Sequence, residues 1–213
     1  MTVPKRLVQL DVDSTFIQQE AIEMLAEKAG VLEQVASITD SAMRGELDFA
    51  ESLKARVALL KGLPESVIIE VQSEILLTDG AAELVAVLHD RGHCVSLVSG
   101  GFINILQPLV ERLNIKHYKA NKLEIVDGYL TGKVEGEVID RAAKATALRE
   151  FASICNVDLF NTVAIGDGAN DLDMMALAGI SIAFNAKPVV TAAADYSINE
   201  PSLKSVLNLI GEI

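Results

Sequence analysis

Leu7 to Leu10 form a short apolar run, interrupted only by Gln9, that stops in the polar stretch Asp11-Val12-Asp13-Ser14-Thr15. That pattern predicts a strand delivering a loop. About sixty residues without a strand signal follow, and they divide into four helical patterns. Ile17, Ala21, Met24 and Leu25 form one stripe, with Glu20 set on the same helix face, closed by Gly30. The second pattern runs from about Val31 to Arg44. The third uses Phe49, Leu53, Val57 and Leu60 and stops near Gly62-Leu63-Pro64, and the fourth starts after Pro64. From Thr78 helix and strand alternate. Ala81, Leu84, Val85 and Leu88 predict a helix stopped by Gly92. Cys94 to Val98 predict a strand ending in Ser99-Gly100-Gly101, and a helical pattern bent at Pro108 continues to Leu113. Asp127-Gly128 between β-prone flanks predicts a hairpin within Leu123 to Val134. Asp140 caps a helix through Ala152. Strand signals follow at Thr162 to Ile165, Ile180 to Phe184 and Tyr196 to Ile198, and a last helix begins at Pro201.

Repeated βα units with apolar strands imply an α/β fold with a doubly wound parallel sheet. The helical stretch 17–76 reads as a cap inserted into a core made of residues 1–16 and 77–213, which suits a chain of 213 residues. Half the residues are hydrophobic but only 4% are aromatic, with no Trp, so aliphatic side chains must do the packing. The net charge of −12 argues against a nucleic-acid or anionic-membrane partner. An anionic substrate would have to be drawn by local cations. Cys94 and Cys155 lie far apart with no CxxC spacing, and two reduced, mostly buried thiols are favoured over a disulfide. The N-terminus runs into the first strand without the apolar run of a signal peptide, and no window approaches the roughly 18 apolar residues of a membrane span. A soluble cytoplasmic protein is expected.

Ligands of open α/β sheets bind beyond the carboxyl ends of the strands, and three strand ends carry polar clusters. Asp11 and Asp13, two apart in extended chain, share a side at roughly 6–7 Å and repel each other unless a cation or a split in roles relieves them. Asp11 can act as nucleophile or metal ligand and Asp13 as acid/base. The alternative is an acidic turn in which Asp13 or Ser14 caps a helix. Ser99-Gly100-Gly101 offers a hydroxyl and unhindered N–H groups, a phosphate cradle at a strand-to-helix junction. Lys144 shares the stripe of Ala147, Leu148 and Phe151, so it either snorkels to solvent or reaches a buried anion. Gly166-Asp167-Gly168-Ala169-Asn170-Asp171 fails the dinucleotide fingerprint, because Asp171 replaces the third glycine and Asp167 would oppose a pyrophosphate. Carboxylates packed after a strand suit a hard cation, most simply Mg²⁺.

These four groups fall in the order of the four motifs of the haloacid dehalogenase superfamily, and the resemblance extends over nearly all of the chain. Within the superfamily the insert resembles the cap of the phosphoserine phosphatase family, through Ala42-Met43-Arg44-Gly45-Glu46-Leu47-Asp48-Phe49 and Ser52-Leu53-Lys54-Ala55-Arg56-Val57. Ala183-Phe184-Asn185-Ala186-Lys187-Pro188 is similar too. Gln9 and Leu10 depart from the apolar and aromatic residues usual in relatives. Few residues precede the first strand, so control by the regulatory domain of some bacterial relatives is not expected.

The resemblance implies a Mg²⁺-dependent hydrolysis of O-phospho-L-serine, the last step of serine biosynthesis, through an aspartyl-phosphate on Asp11. Asp13 would protonate the leaving serine oxygen and then deprotonate water. Mg²⁺ would be held by Asp11, the Asp13 backbone carbonyl and Asp167, with Asn170 and Asp171 supporting. Ser99, Gly100 and Lys144 would bind phosphate oxygens. In the cap, Arg56 would take the substrate carboxylate, Glu20 its ammonium, and Met43 and Phe49 would line the pocket. The small-molecule substrate is the expected partner, and the choice between monomer and homodimer stays open. Two rival readings are a related phosphatase or phosphotransferase for another small phosphate, and a non-catalytic nucleotide-binding module.

Overall fold

The protein, a computed structural model, is described over residues 4–43 and 47–211, with the side chains of Ala42 and Met43 outside that description. The expected cap motif therefore falls partly outside the described residues, at Arg44-Gly45-Glu46, and so does the proposed pocket role of Met43.

Among the described residues seven strands form one sheet: β1 (Leu7–Leu10), β2 (Cys94–Phe102), β3 (His117–Val126), β4 (Tyr129–Glu135), β5 (Thr162–Gly166), β6 (Ile180–Phe184) and β7 (Tyr196–Ile198), in the order β4-β3-β2-β1-β5-β6-β7. All neighbours run parallel except the β3–β4 hairpin. The hairpin turns at Asp127 and Gly128 with φ of 52° and 79°, the two positive values an Asp-Gly turn supplies. Register sets the site. Leu10 lies beside both Leu97 and Ile165, so the residues one or two further along β1, β2 and β5 emerge together.

The strands bury both faces, as parallel strands must. Val8 and Leu10 face α5 (Ala81–Asp90) and α6 (Ile103–Arg112), whose Leu84, Leu88, Leu106 and Leu109 complete one core. Leu7 faces α7 (Arg141–Cys155) and α8 (Leu172–Leu177), packed through Leu148, Phe151 and Met174. Gln9 shares that face and is fully buried. It pairs with its neighbours: its amide donates to the Lys144 carbonyl at 3.1 Å and approaches Met174 Sδ at 3.3 Å, and its oxygen accepts from Ser96 Oγ at 3.3 Å. A buried amide so partnered avoids a desolvation penalty of a few kcal/mol.

Between β1 and α5 lie α1 (Ala21–Lys28), α2 (Leu32–Met43), α3 (Phe49–Ala58) and α4 (Ser66–Glu74). Asp48 starts α3 with a capping box, accepting from the Glu51 N–H at 2.7 Å. Leu25, Val35, Leu53 and Val57 pack together and against Phe102, Leu123 and Leu130. The insert thus shares its core with the hairpin, and the Gly62 N–H donates to the Leu130 carbonyl at 2.8 Å.

Four local expectations are corrected. Ile17 is not on the first helix; it is extended and bridges Leu77, because Ser14 at φ 58° turns the chain and the Gln18 amide ties it to the Leu77 carbonyl. Glu20 is likewise not on the stripe but precedes α1 in extended conformation. β2 does not stop at Val98 but runs through Ser99-Gly100-Gly101 to Phe102, whose pairing with Asn121 extends it past an irregularity. The last helix is α10 (Ser205–Leu209), not one begun at Pro201. A short helix over Pro188–Thr191, α9, has Pro at its start and was not expected. Cys94 and Cys155 carry no disulfide, as favoured, yet the fold brings them together. Among the described residues no helix is long and apolar enough to cross a membrane.

Candidate active site

Asp11 follows the last residue of β1 and stays in extended conformation, its N–H donating to the Ile165 carbonyl at 2.9 Å. The residue is 4% exposed. Val12 to Phe16 then form a tight turn, with Ser14 in the left-handed region. The turn aims Asp13 elsewhere: Oδ2 accepts from Ser99 Oγ at 2.7 Å and Oδ1 accepts from the Ala21 N–H at 2.8 Å. Ala21 is the first residue of α1, so Asp13 occupies the positive end of that helix from eight residues upstream. The expectation that Asp13 caps a helix is thus met at the start of α1.

Lys144 resolves the sequence ambiguity in favour of the buried anion. It is 0% exposed, donates to Asp171 Oδ1 at 2.8 Å, and also donates to Asp11 Oδ1. Burial alone would push its ammonium down, but Asp11 and Asp171 together outweigh it and raise it above the ordinary lysine value. Burial pushes the Asp11 carboxyl well up, Asp171 adds to this, and Lys144 pulls it back in part. Asp167 is raised to about 6 by burial and then by Asp171, against the pull of Lys144. One lysine does not balance the carboxylates gathered here.

That imbalance bears on a cation. Oxygens of Asp11, Asp167 and Asp171 all lie within 4.8 Å of one another, an all-oxygen set suited to a hard divalent ion. Both oxygens of Asp171 are engaged, Oδ1 by Lys144 and Oδ2 by the Gly168 N–H at 3.2 Å, which leaves Asp11 and Asp167 as the freer ligands. Asp171 also packs under Gly166, where an added Cβ would meet its Oδ2 at 2.3 Å. Asn170 sits over Gly168 at the same loop, its Oδ1 2.5 Å from where a Cβ would stand.

Ser99 is buried, and its Oγ accepts from the Gly101 N–H at 2.7 Å while donating to Asp13. A Cβ on Gly101 would meet Asp13 Oδ2 at 2.5 Å, and one on Gly100 would meet Phe49 Cζ at 2.8 Å. Phe49, from the insert, thus lies directly over the Gly100 backbone. The Gly100 carbonyl accepts from Asn121 Nδ2 at 2.8 Å, which fixes the strand end.

The insert also brings two charges near. Glu20 accepts from Ser14 Oγ at 2.6 Å and is raised to about 7 by burial and then by Asp13. Arg56 donates from Nε to the Ser52 carbonyl at 3.3 Å; burial lowers its ordinary value, against the pull of Glu20, Glu23 and Asp13. Two contributors escaped the sequence reading. Ser14 holds Glu20, and Thr15 Oγ1 donates to Asp167 Oδ1 at 3.3 Å. Their one sequence signal was their place in the Asp11–Thr15 run.

Comparison with known proteins agrees with this geometry. The pattern of haloacid dehalogenase-like hydrolases matches residues 8–176. A phosphoserine phosphatase of Streptococcus thermophilus is 49% identical over 213 residues, covering 100% of this chain and 99% of its own. One of Streptomyces coelicolor is 55% identical over 207 residues, 97% of this chain, and the chain spans 50% of that relative's length. A solved structure of a phospho-aspartyl intermediate analogue of phosphoserine phosphatase superposes with a TM-score of 0.91 at 43% identity, covering 96% of this chain and 98% of that one. By sequence and by fold, the chain belongs to the haloacid dehalogenase-like hydrolase family, in the branch whose members bear the name phosphoserine phosphatase.

Proposed function

We propose that the chain hydrolyses O-phospho-L-serine to L-serine and phosphate in two steps, with Mg²⁺ as cofactor and the phosphoryl group held in between on Asp11. The observation that carries this reading is the buried Lys144 pinned between Asp11 and Asp171. A fully buried ammonium with two carboxylates orients one of them, Asp11, at the tip of a strand where a ligand can reach it.

In the first step an Asp11 oxygen forms a bond to phosphorus as the bond from phosphorus to the serine oxygen breaks. Asp13 gives its proton to that oxygen. At rest the Ala21 N–H holds Oδ1 and Oδ2 accepts from Ser99; when the Ser99 hydroxyl turns to a phosphate oxygen instead, Oδ2 is freed and is the oxygen that carries the proton Asp13 gives up. In the second step Asp13 takes a proton from water, water oxygen bonds to phosphorus, and Asp11 leaves. Ser99, the Gly100 N–H and Lys144 bind the phosphoryl oxygens, and Asn170 lies at the same strand ends. Asp11, Asp167 and the Asp13 carbonyl would hold Mg²⁺, with Asp171 supporting, and the ion would supply positive charge that lets two anions approach.

Residues 17–76 serve as the cap. Arg56 pairs with the substrate carboxylate and Glu20 with its ammonium, and Phe49 over Gly100 closes the phosphate end against water. A cytoplasmic setting and a small-molecule partner belong to the same reading. The test is phosphate release from L-phosphoserine against a panel of sugar and nucleotide phosphates. L-Phosphoserine should give the highest kcat/KM; preference for another ester would reassign the substrate, and release from none would return the chain to the nucleotide-binding reading.

A further inference from the structure

At the other end of the sheet from Asp11, three side chains with soft or borderline donor atoms meet. Cys94 is the first residue of β2, His117 the first of β3 and Cys155 the last of α7. β2 and β3 run parallel with Ser96 beside His117, so their starts adjoin, and α7 crosses the same region. The two sulfurs and a ring nitrogen of His117 all lie within 4.8 Å of one another. Cys94 precedes Ser99 by five residues along one strand, about 16 Å of extended chain.

We propose that Cys94, His117 and Cys155 form a second metal site, for a thiolate-seeking divalent ion with Zn²⁺ foremost, separate from the carboxylate cluster. The chemistry of the donors selects against Mg²⁺, which takes oxygen, and for zinc-like ions, which take sulfur and imidazole. The spacing suits them too. Zinc with sulfur at about 2.3 Å and nitrogen at about 2.0 Å places tetrahedral ligand atoms about 3.5 Å apart, so shifts of about 1 Å close the set. A cleft of about 300 Å³, bordered also by Lys5, His89, His93 and Lys116, adjoins Cys94 and His117. Three protein ligands beside an open position leave room for a water or an exchangeable ligand. The ligands are also held from behind. The Phe151 ring lies 5.6 Å from the His117 ring, and Lys5 Nζ donates to the Cys155 carbonyl at 2.8 Å. An ion here ties the starts of two strands to the end of the helix that carries Lys144, so it binds the folded chain and stabilises it.

The test uses the whole protein in a phosphine reductant, with excess Mg²⁺ to fill the carboxylate cluster and Co²⁺ as a spectroscopic stand-in for Zn²⁺. One equivalent of Co²⁺ should give a sulfur-to-cobalt charge-transfer band and the intense visible bands of a tetrahedral site. Excess Zn²⁺ should abolish them, Cys94→Ser should lose them, and His117→Gln should weaken them. Because Cys94→Ser alters a strand, a second reading uses the unmutated protein: Zn²⁺ in excess Mg²⁺ should slow alkylation of Cys94 at least tenfold. Weak absorption of an all-oxygen site, bands unchanged in Cys94→Ser, or alkylation unaffected by Zn²⁺ would each overturn the site. So would a Cys94–Cys155 disulfide that persists in the reductant.

Discussion

Lys144 carries more of the site than any other single side chain. It is buried with two carboxylates, and removing one member of such a group leaves uncompensated charge behind. Lys144→Met should cost about 3–5 kcal/mol in denaturant unfolding. Because Asp11 then loses its partner, the variant should also be inactive where it remains folded. A variant as stable as the parent would mean that the three groups share their charge differently. At the same scale, Arg56→Ala should lower kcat/KM for phosphoserine by about 30- to 1,000-fold, since a desolvated carboxylate would lose its partner. Glu20→Gln should act alike through the ammonium. An aryl phosphate has neither group and should change little in either variant; parallel losses on both substrates would make these residues structural. Lys144 was legible in sequence because a lysine on the stripe of Ala147, Leu148 and Phe151 has few places to go. Thr15 was not, because its partner Asp167 lies 152 residues away and a threonine in a turn is ordinary. Glu20 was identified but set on a helix face, since nothing local announces that Ser14 takes a positive φ.

Among the elements, the close approach of α3 to the end of β2 makes the most specific demand. Gly100 has no room for a methyl group, because Phe49 Cζ would lie 2.8 Å from it. Gly100→Ala should therefore lower kcat/KM by about 5- to 150-fold, the range that about 1–3 kcal/mol of overpacking implies. Phe49→Ala on that background should recover part of the loss. Strictly additive losses in the double variant would show that the two elements do not meet in the working enzyme. The hairpin turn was legible because Asp127-Gly128 carries its own backbone preference. The continuation of β2 to Phe102 was not, because it depends on a partner strand whose Asn121 supplies the pairing. The start of α7 was legible for the same local reason as the hairpin, through Asp140 as its cap, but the helix runs on to Cys155 rather than Ala152, where Asn156 ends it in the left-handed region.

Over the whole molecule, the doubly wound sheet was legible in the alternation after Thr78 but its strand order was not, and the register of β1 with β2 and β5 turns three separate motifs into one site. Its charge balance has a consequence for stability. Asp167 is raised to about 6, by burial and then Asp171, and Glu20 to about 7, by burial and then Asp13. The folded chain holds these protons more tightly than the unfolded chain. Their contribution is therefore complete below about pH 4 and is lost as pH rises through about 6 and 7. Metal-free protein should show a Tm that falls across that window, and saturating Mg²⁺ should restore most of it at pH 7.5 by binding the folded state. Chelator should abolish activity and Mg²⁺ should return it. A metal-free Tm that rises from pH 5 to pH 7.5 would contradict this charge balance.

The central claim, covalent catalysis on Asp11, is tested most directly by trapping the intermediate. Enzyme turning over L-phosphoserine in Mg²⁺ is quenched in acid within one turnover, digested and sequenced by mass spectrometry. Phosphate should be found on Asp11, should be released by hydroxylamine as an acyl phosphate, and should be missing from Asp11→Asn. Phosphate trapped on Ser99 or on a histidine instead, or steady turnover in Asp11→Asn, would contradict the account.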